Sequence, residues 1–214
     1  MKIRQTIFII AFIVIIDQLF KIWIKTHFYI GQEIKILGAS WFRLHFVENE
    51  GMAWGIKLGE DLGKIMLTLF RLIAIIVGAF YIRTLIRKPA HKGFIICVAF
   101  IYAGALGNLI DSMFYGLIFD SSDPFTRNIA QWFPSGGGYG SFLQGKVVDM
   151  VYLPIINGIH LPSWMPIWGG KTFDFFEPVF NIADASISIG VIAIIIFQRR
   201  FFKKKQPLKI NTSQ

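Results

Sequence analysis

The sequence has little charge, one cysteine and four histidines, and each shortage excludes a class of protein. Only 16% of its residues are charged whereas 54% are hydrophobic, which is too apolar for an ordinary soluble domain. The single cysteine, Cys97, excludes an intrachain disulfide framework. The histidines have no paired metal-ligand spacing, so we expect no metal and no cofactor. These shortages predict a single integral membrane domain over residues 1–214.

Four apolar runs are long enough to cross the roughly 30 Å of hydrocarbon in a bilayer. They cover about residues 7–24, 65–86, 94–115 and 179–197. We therefore predict a mainly α-helical membrane protein with four transmembrane helices. Two extracytoplasmic segments, 25–64 and 116–178, would connect them, and a basic cytoplasmic tail would follow at 199–214.

The basic residues predict how these helices are oriented. Twelve of the 22 Lys and Arg residues lie in the N-terminus, the 83–92 loop and the tail, and none of the 13 Asp and Glu residues lies there. By the positive-inside rule, both termini and this loop face the cytoplasm. The net charge of +9 therefore indicates topology and contact with anionic membrane lipids, and not a nucleic-acid partner.

The first extracytoplasmic segment is predicted to form a small β-sheet. Phe42, Leu44 and Phe46 recur at the two-residue period of a half-buried strand. A turn is predicted to end the strand at residues 48–51. Asn49, within that turn, would either cap the backbone or donate to a substrate carbonyl.

The second extracytoplasmic segment is far longer than an ordinary connection between helices. Its first part includes the glycine-rich run PSGGGYGS at 134–141, which predicts a mobile loop or lid. Residues 146–152 read as a short apolar strand with Asp149 in its middle. The tripeptide at 170–172 lacks the leading glycine and the preceding strand of a phosphate-binding loop, so nucleotide binding is excluded.

Polar side chains inside the apolar runs are candidate functional groups. A charge at the centre of a membrane helix costs roughly 2.5 to 3.5 kcal/mol on insertion scales, so such residues are usually functional. Asn181, Asp184 and Ser188 share one helical face in the last run, and Asn108 and Asp111 share one in the third.

Two further charged sites lie in the first and second runs. Asp17 and Lys21 are four residues apart, a spacing that favours a structural ion pair over direct chemistry. Arg71 would either extend toward water or pair with a buried acid.

Four carboxylates, Asp17, Asp111, Asp149 and Asp184, are predicted to converge on the outer membrane boundary. Two carboxyl groups that lie close together cannot both ionise, so they share a proton. Such a pair can activate water while it donates a proton to a carbonyl oxygen. Composition and spacing leave open which two residues form the pair.

Other functions remain possible from the residues alone. Intramembrane carboxylates also serve proton- or ion-coupled carriers, although the chain shows no inverted repeat of the kind that carriers use. A Ser-Lys pair of Ser186 or Ser188 with Lys21 is a weaker alternative. An assembly protein would explain the small residues Gly104 and Gly107, but not the acidic cluster.

Five motifs occur in order along the chain: DQLFK at 17–21, ENEGMAWG at 48–55, GALGNLID at 104–111, VVD at 147–149 and FNIADASI at 180–187. Together they resemble those of the bacterial lipoprotein signal peptidases (signal peptidase II). The resemblance implies an intramembrane aspartyl endopeptidase that removes the signal peptide of a prolipoprotein directly before its diacylglyceryl-modified Cys. It also implies the bacterial cytoplasmic (inner) membrane, with the active site at the extracytoplasmic face.

The resemblance also assigns roles to residues. The catalytic pair falls on Asp149 and Asp184. The substrate-binding or supporting positions fall on Asn49, Gly51, Ala53, Asn181, Asn108, Asp111, Asp17 and Lys21. The implied partners are lipidated prolipoprotein signal peptides, membrane lipids and a globomycin-type inhibitor, and we expect a monomer.

Two features depart from the family pattern. The family usually has Arg directly after the Asp of GNLxD, where this chain has Ser112, so the ion pair of that Arg would be lost or supplied by a basic residue elsewhere. The interval from Asp111 to Asp149 is also longer than usual, the extra residues being roughly 117–144. Both departures bear on lid geometry and substrate preference, and neither touches the expected catalytic pair.

Overall fold

The structure is a computed structural model that describes residues 1–50, 60–88, 90–154, 156–160, 162–164, 166, 170, 172–175 and 178–203. Its helices are α1 (Ile3–His27), α2 (Glu60–Arg87), α3 (Lys92–Ile118) and α4 (Ile182–Phe201). Its strands are β1 (Glu33–Lys35), β2 (Arg43–Asn49), β3 (Val147–Tyr152), β4 (Ile156–His160) and β5 (Thr172–Phe175).

The four predicted membrane spans are confirmed as helices that are long and apolar enough to cross a bilayer. The first three are longer at both ends than their apolar runs. The fourth was predicted to start at residue 179 but begins at Ile182, because Asn181 adopts an extended conformation and caps it. The Asn181 side chain accepts a hydrogen bond from the Asp184 backbone N–H at 2.8 Å. The predicted polar stripe therefore starts with a helix cap and not with a helical residue.

Helix α3 is the centre of the bundle, and α1, α2 and α4 all pack against it. Of its apolar stretch 44% is buried, against 17% in each of the other three helices. Glycines allow the close contact with α4: a Cβ at Gly104 would collide with the Ala183 carbonyl oxygen, and one at Gly190 would lie 2.7 Å from the Cys97 carbonyl oxygen. This close approach brings the start of α4 to the polar end of α3.

Strands β1, β2 and β3 form an antiparallel sheet in that order, which confirms the predicted small sheet. Strand β2 runs through Glu48 and Asn49, so the turn predicted there was wrong. One face of the sheet packs on the bundle through Phe46, Val148 and Met150, which form a core with residues of α1 and α3. We call this end of the bundle, where α1 and α3 end and α4 begins, the sheet end.

Residues 117–144 fold back onto the sheet end of α3. The Tyr139 N–H donates to the Phe119 carbonyl oxygen at 2.9 Å, and the Gly140 N–H donates to the Gly116 carbonyl oxygen at 2.9 Å. A Cβ at Gly138 would collide with the same Gly116 carbonyl oxygen. The glycine-rich tract thus allows two backbones to approach closely, and the lid motion predicted for it stays a prediction.

Candidate active site at the sheet end

Asp149 and Asp184 are connected through two asparagine side chains. Asn181 Nδ2 donates to Asp149 Oδ1 at 2.7 Å and to Asn108 Oδ1 at 3.1 Å. Asn108 Nδ2 in turn donates to Asp184 Oδ1 at 2.8 Å. Strand β3 therefore supplies one carboxyl group and the first turn of α4 the other, with an amide chain between them.

The two carboxyl groups differ in their environment. Asp149 is 3% exposed, whereas Asp184 is partly exposed. Burial, together with the nearby charge of Asp184, raises the pKa of Asp149 to about 7. Hydrogen bonds from Asn49 and Asn181 and the positive charge of Lys21 act in the opposite direction. Asp149 is therefore suited to hold a proton near neutral pH, while Asp184 can meet water.

Asn49 lies on the strand next to Asp149 and not in a turn. Its Nδ2 donates to Asp149 Oδ2 at 3.3 Å, so the two oxygens of Asp149 accept from different asparagines. Neither alternative that the sequence left open, backbone capping or a substrate contact, foresaw this bond. Gly51 and Ala53, the other two residues of this motif, lie outside the described residues.

Lys21 pairs with two buried acids beside the two carboxyl groups. Its Nζ lies 2.9 Å from Asp17 Oδ2, 2.8 Å from Asp111 Oδ2 and 2.9 Å from Asn108 Oδ1. The expected Asp17–Lys21 pair is therefore present, and Asp111 joins it. Because each N–H of the ammonium group has a partner here, Lys21 is a structural cation and not a free base.

Asp17 and Asp111 also fix the elements that carry the two carboxyl groups. Asp17 Oδ1 accepts from the Ala183 backbone N–H at 2.9 Å, in the first turn of α4, where a negative charge is stabilising. Asp111 Oδ2 accepts from the Val148 backbone N–H at 3.3 Å, directly before Asp149. The cluster thus ties α1, α3, α4 and β3 into one arrangement.

Gln18 is a residue of this cluster that the sequence analysis missed. Its Nε2 donates to Asp111 Oδ1 at 2.8 Å, and its Oε1 accepts from the Tyr115 hydroxyl at 3.1 Å. The signal that could have found it is its position inside the DQLFK motif, between Asp17 and Lys21.

Glu48, also missed, pairs with Lys25 on the other face of β2 from Asn49. Both side chains are buried, and Ser122 Oγ accepts from Lys25 Nζ at 3.1 Å. Lys25 also lies over the rings of Phe119 and Tyr139. This pair joins β2 to α1 and, through Ser122, to the 117–144 segment, next to the strand position of Asn49.

A basic residue from elsewhere in the chain contacts Ser112, at the position where the family pattern usually has Arg. Arg71 Nη1, on α2, donates to Ser112 Oγ at 2.9 Å. Ser112 Oγ donates to the Asn108 carbonyl oxygen at 2.9 Å. Neither alternative for Arg71 fits fully: its side chain turns inward to the polar end of α3, but its partner there is Ser112, and among the described residues it forms no ion pair with an acid.

The other chemical possibilities lack support in the geometry. Ser186 Oγ donates to the Phe100 carbonyl oxygen at 2.8 Å and Ser188 is exposed, so neither pairs with Lys21. Within the described part of the chain, no group of three or more His, Cys, Asp or Glu side chains could hold a metal ion. The cation that the acidic cluster binds is instead Lys21, which pairs with Asp17 and Asp111.

An apolar groove of about 460 Å³ runs between α1 and α2, with α3 as its floor. It ends on α3 at Leu106, within one helical turn of Asn108. Among the side chains that line it are Ile7, Ile10, Val14, Ile82, Tyr102 and Leu106. The groove thus extends along the bundle toward the two carboxyl groups.

Comparison with known proteins decides the family. The family model described as signal peptidase (SPase) II matches residues 9–200. The chain belongs to the signal peptidase II family. It is therefore a protease and a multi-pass membrane protein, and the carrier and assembly alternatives fall away.

Relatives in the signal peptidase II family are similar over most of their length. The chain is 48% identical to a lipoprotein signal peptidase of Porphyromonas gingivalis over 88% of this chain and 80% of that protein. It is 36% identical to a lipoprotein signal peptidase of Amoebophilus asiaticus over 87% of this chain and 74% of that protein. The resemblance seen in the motifs is confirmed.

Solved structures of a bacterial membrane enzyme share the fold of this signal peptidase II family member. One matches with a TM-score of 0.57 and 27% identity, covering 97% of this chain and 96% of that chain. A second matches with a TM-score of 0.58 and 28% identity, covering 95% and 96%.

Proposed function

We propose that this protein is an intramembrane aspartyl endopeptidase that removes the signal peptide of prolipoproteins directly before the diacylglyceryl-modified Cys. The observation that carries the proposal is the linked pair of Asp149 and Asp184, which meet through Asn181 and Asn108 at one end of a membrane bundle. The charge of Asp184 acts on the buried Asp149, which supports two carboxyl groups close enough to share a proton.

The two carboxyl groups have different parts in hydrolysis. Asp184, ionised and accessible, takes a proton from water, and the water oxygen attacks the carbonyl carbon of the scissile peptide bond. Asp149 donates its proton to the carbonyl oxygen, which gives a neutral tetrahedral intermediate. The intermediate then collapses as the C–N bond breaks, the proton held by Asp184 passes to the leaving nitrogen, and Asp149 takes a proton back from one hydroxyl group as the new carbonyl forms. Because the dyad exchanges protons as a unit, its titration belongs to the pair.

The asparagines hold the dyad in a reactive geometry. Asn49 and Asn181 each donate to one oxygen of Asp149, which fixes the plane of that carboxyl group. Asn108 donates to Asp184 while its own oxygen is held by Lys21. Asp17 and Asp111 accept hydrogen bonds from the backbones of α4 and β3, and Lys21 pairs with both acids, so this cluster holds the two elements in place. Gly51 and Ala53 complete the implied substrate-binding set.

The position of the dyad fits a lipid-linked peptide. The apolar groove between α1 and α2 offers lateral entry from the bilayer for the apolar part of a signal peptide, and it ends near Asn108. The basic residues at the opposite ends of α2, α3 and α4 support a topology with the sheet end outside the cytoplasm. The proposed location is the cytoplasmic (inner) membrane, with membrane lipids around a monomer that needs no metal.

The test is a cleavage assay with two forms of one precursor. Purified protein is incubated with a diacylglyceryl-modified prolipoprotein and with its unmodified twin, each with and without globomycin. We expect cleavage of the modified precursor alone, directly before the modified Cys, and inhibition by globomycin. Equal cleavage of both precursors would contradict the proposed substrate class, and no cleavage of either would contradict the proposed function.

A further inference from the structure

Arg71 is a cation within the apolar stretch of α2. In the described part of the chain it forms a hydrogen bond to Ser112 but no ion pair. Its neighbours Phe70 and Ile73 are exposed on the outside of the helix, whereas Arg71 is partly buried against α3. Its hydrogen bond to Ser112 places the guanidinium beside the residue that follows Asp111. A membrane helix tolerates such a charge only where a partner or a function compensates for it.

Among the described charges around the dyad, the Arg71 guanidinium has no ion pair. Lys21 is held by Asp17, Asp111 and Asn108, so it makes no direct bond to Asp149 or Asp184. Within the described residues, neither dyad carboxyl group has an ion-pair partner: Lys21, Lys25 and Lys146 form their ion pairs with other acids. Among the described residues around the dyad, the carboxylates therefore outnumber the cations unless a second cation lies near them.

Arg71 is the cation in a position to face the dyad. The carboxylates whose charges act on its guanidinium are Asp184 first, then Asp111 and Asp149. In a site of low dielectric constant, an uncompensated cation favours the ionised form of nearby carboxyl groups without contacting them. The hydrogen bond to Ser112 fixes the direction in which this charge points.

We propose that Arg71 is a positioning residue of the reaction, whose charge, fixed by Ser112, keeps Asp184 ionised while Asp149 retains the shared proton. This inference rests on the proposed function, because the charge matters only if the dyad catalyses hydrolysis. The alternative is a purely structural contact that joins α2 to α3. The two differ in one respect, since a structural contact does not move the pH profile of the reaction.

The charged groups that surround the dyad all enter the prediction. They are the two dyad residues on β3 and α4, Arg71 on α2, and the ion-paired Asp17, Lys21 and Asp111 on α1 and α3. Removal of one positive charge from this set makes ionisation less favourable for every carboxyl group in it. The pH range in which the dyad holds a single proton must therefore move upward.

The primary variant is Arg71→Gln, with Arg71→Lys as its charge-preserving partner. We expect Arg71→Gln to move the whole pH profile upward by roughly one pH unit, which lowers kcat on the acidic limb and raises it on the alkaline limb. Arg71→Lys should keep the profile in place, and Arg71→Gln/Ser112→Arg should move it back. Arg87→Gln, at the exposed far end of α2, should change neither quantity.

A second variant leaves Arg71 in place, in case Arg71→Gln does not fold. Ser112→Asp puts a carboxylate against the guanidinium and neutralises its charge, whereas Ser112→Asn is the uncharged control. We expect the Asp variant to move the profile upward as Arg71→Gln does. An unchanged pH profile in folded Arg71→Gln or Ser112→Asp would overturn the proposal and leave a structural contact.

A spectroscopic titration separates this inference from the proposed function. The infrared band of the protonated carboxyl group, identified by its loss in Asp149→Asn, is followed against pH in the wild type and in Arg71→Gln. We expect the band to persist to a pH roughly one unit higher in Arg71→Gln. Equal titration in both proteins would overturn the role of Arg71 even if cleavage occurs, whereas a shifted titration without cleavage would overturn only the function.

Discussion

At the scale of single residues, the site depends on side chains that serve two partners at once. Asn181 donates to Asp149 through Nδ2 and accepts from the Asp184 backbone through Oδ1, because an amide carries both a donor and an acceptor. Asp17 also has two partners, because it accepts from a backbone N–H in the first turn of α4 and pairs with Lys21. A residue with two such partners fixes their relative position, so the geometry of the dyad is set by hydrogen bonds and not by packing alone.

The raised pKa of Asp149 predicts a limit on activity at alkaline pH. Its pKa of about 7 means that Asp149 loses the proton it must donate as the pH rises above neutral. We expect kcat for the lipidated precursor to fall about 10-fold for each pH unit above this value, measured with precursor in excess. A rate that rises between about pH 7 and 9 would contradict the assignment of Asp149 as the proton donor.

The same shift predicts how stability depends on pH. The pKa of Asp149 is higher in the folded protein than its ordinary value of 3.8, so folding favours the protonated form. Its stabilising contribution is complete below about pH 4 and is lost as the pH rises through about 7. Asp149→Asn should therefore melt at a higher temperature relative to the wild type at pH 8 than at pH 4, and a constant difference would contradict the shift.

At the scale of helices and strands, the sequence predicted most of what the structure contains. Apolar runs and strand alternation are local signals, so the four helices and strands β2 and β3 could be found without coordinates. The partners of Glu48 and Arg71 could not be found in this way, because Lys25 and Ser112 lie far from them in sequence. The capping role of Asn181 could not be predicted for another reason. An apolar run shows which residues can lie in lipid, but it does not show at which residue the helix begins.

The buried pair of Lys25 and Glu48 is expected to hold β2 against α1, with Ser122 of the 117–144 segment bonded to both side chains. Removal of Lys25 leaves the buried Glu48 with only the longer ion pair to Lys146 at 3.9 Å, and breaking a buried pair costs up to about 3–5 kcal/mol. Lys25→Met should therefore lower the melting temperature in detergent strongly, and Lys25→Met/Glu48→Leu should recover most of the loss. Activity of Lys25→Met should fall too, because Asn49 follows Glu48 on the same strand.

The control for this pair is Arg43→Met, which breaks an exposed ion pair with Glu33 on the same sheet. Exposed pairs contribute about 0–1 kcal/mol, so its melting temperature should change little. Equal effects of Lys25→Met and Arg43→Met would show that the buried pair does not hold the strand.

At the scale of the whole molecule, a helical bundle and a small sheet share one polar end. Helix α3 supplies Asn108 and Asp111, α4 supplies Asp184 and β3 supplies Asp149, although α3 and β3 are separated in sequence by the 117–144 segment. Close packing of α3 on α4 at glycines, and docking of the sheet on the ends of α1 and α3, make these residues neighbours. The five motifs of the sequence are the parts of the chain that meet at this end.

The measurement that tests the dyad most directly is the cleavage rate of Asp149→Asn and of Asp184→Asn on a diacylglyceryl-modified precursor. Asp123→Asn, which changes an exposed carboxyl group in the 117–144 segment, is the matched control. We predict that either dyad variant loses at least about 1000-fold in kcat while it is inserted and folded like the wild type, and that the control keeps full activity. Wild-type rates in both dyad variants would contradict the account.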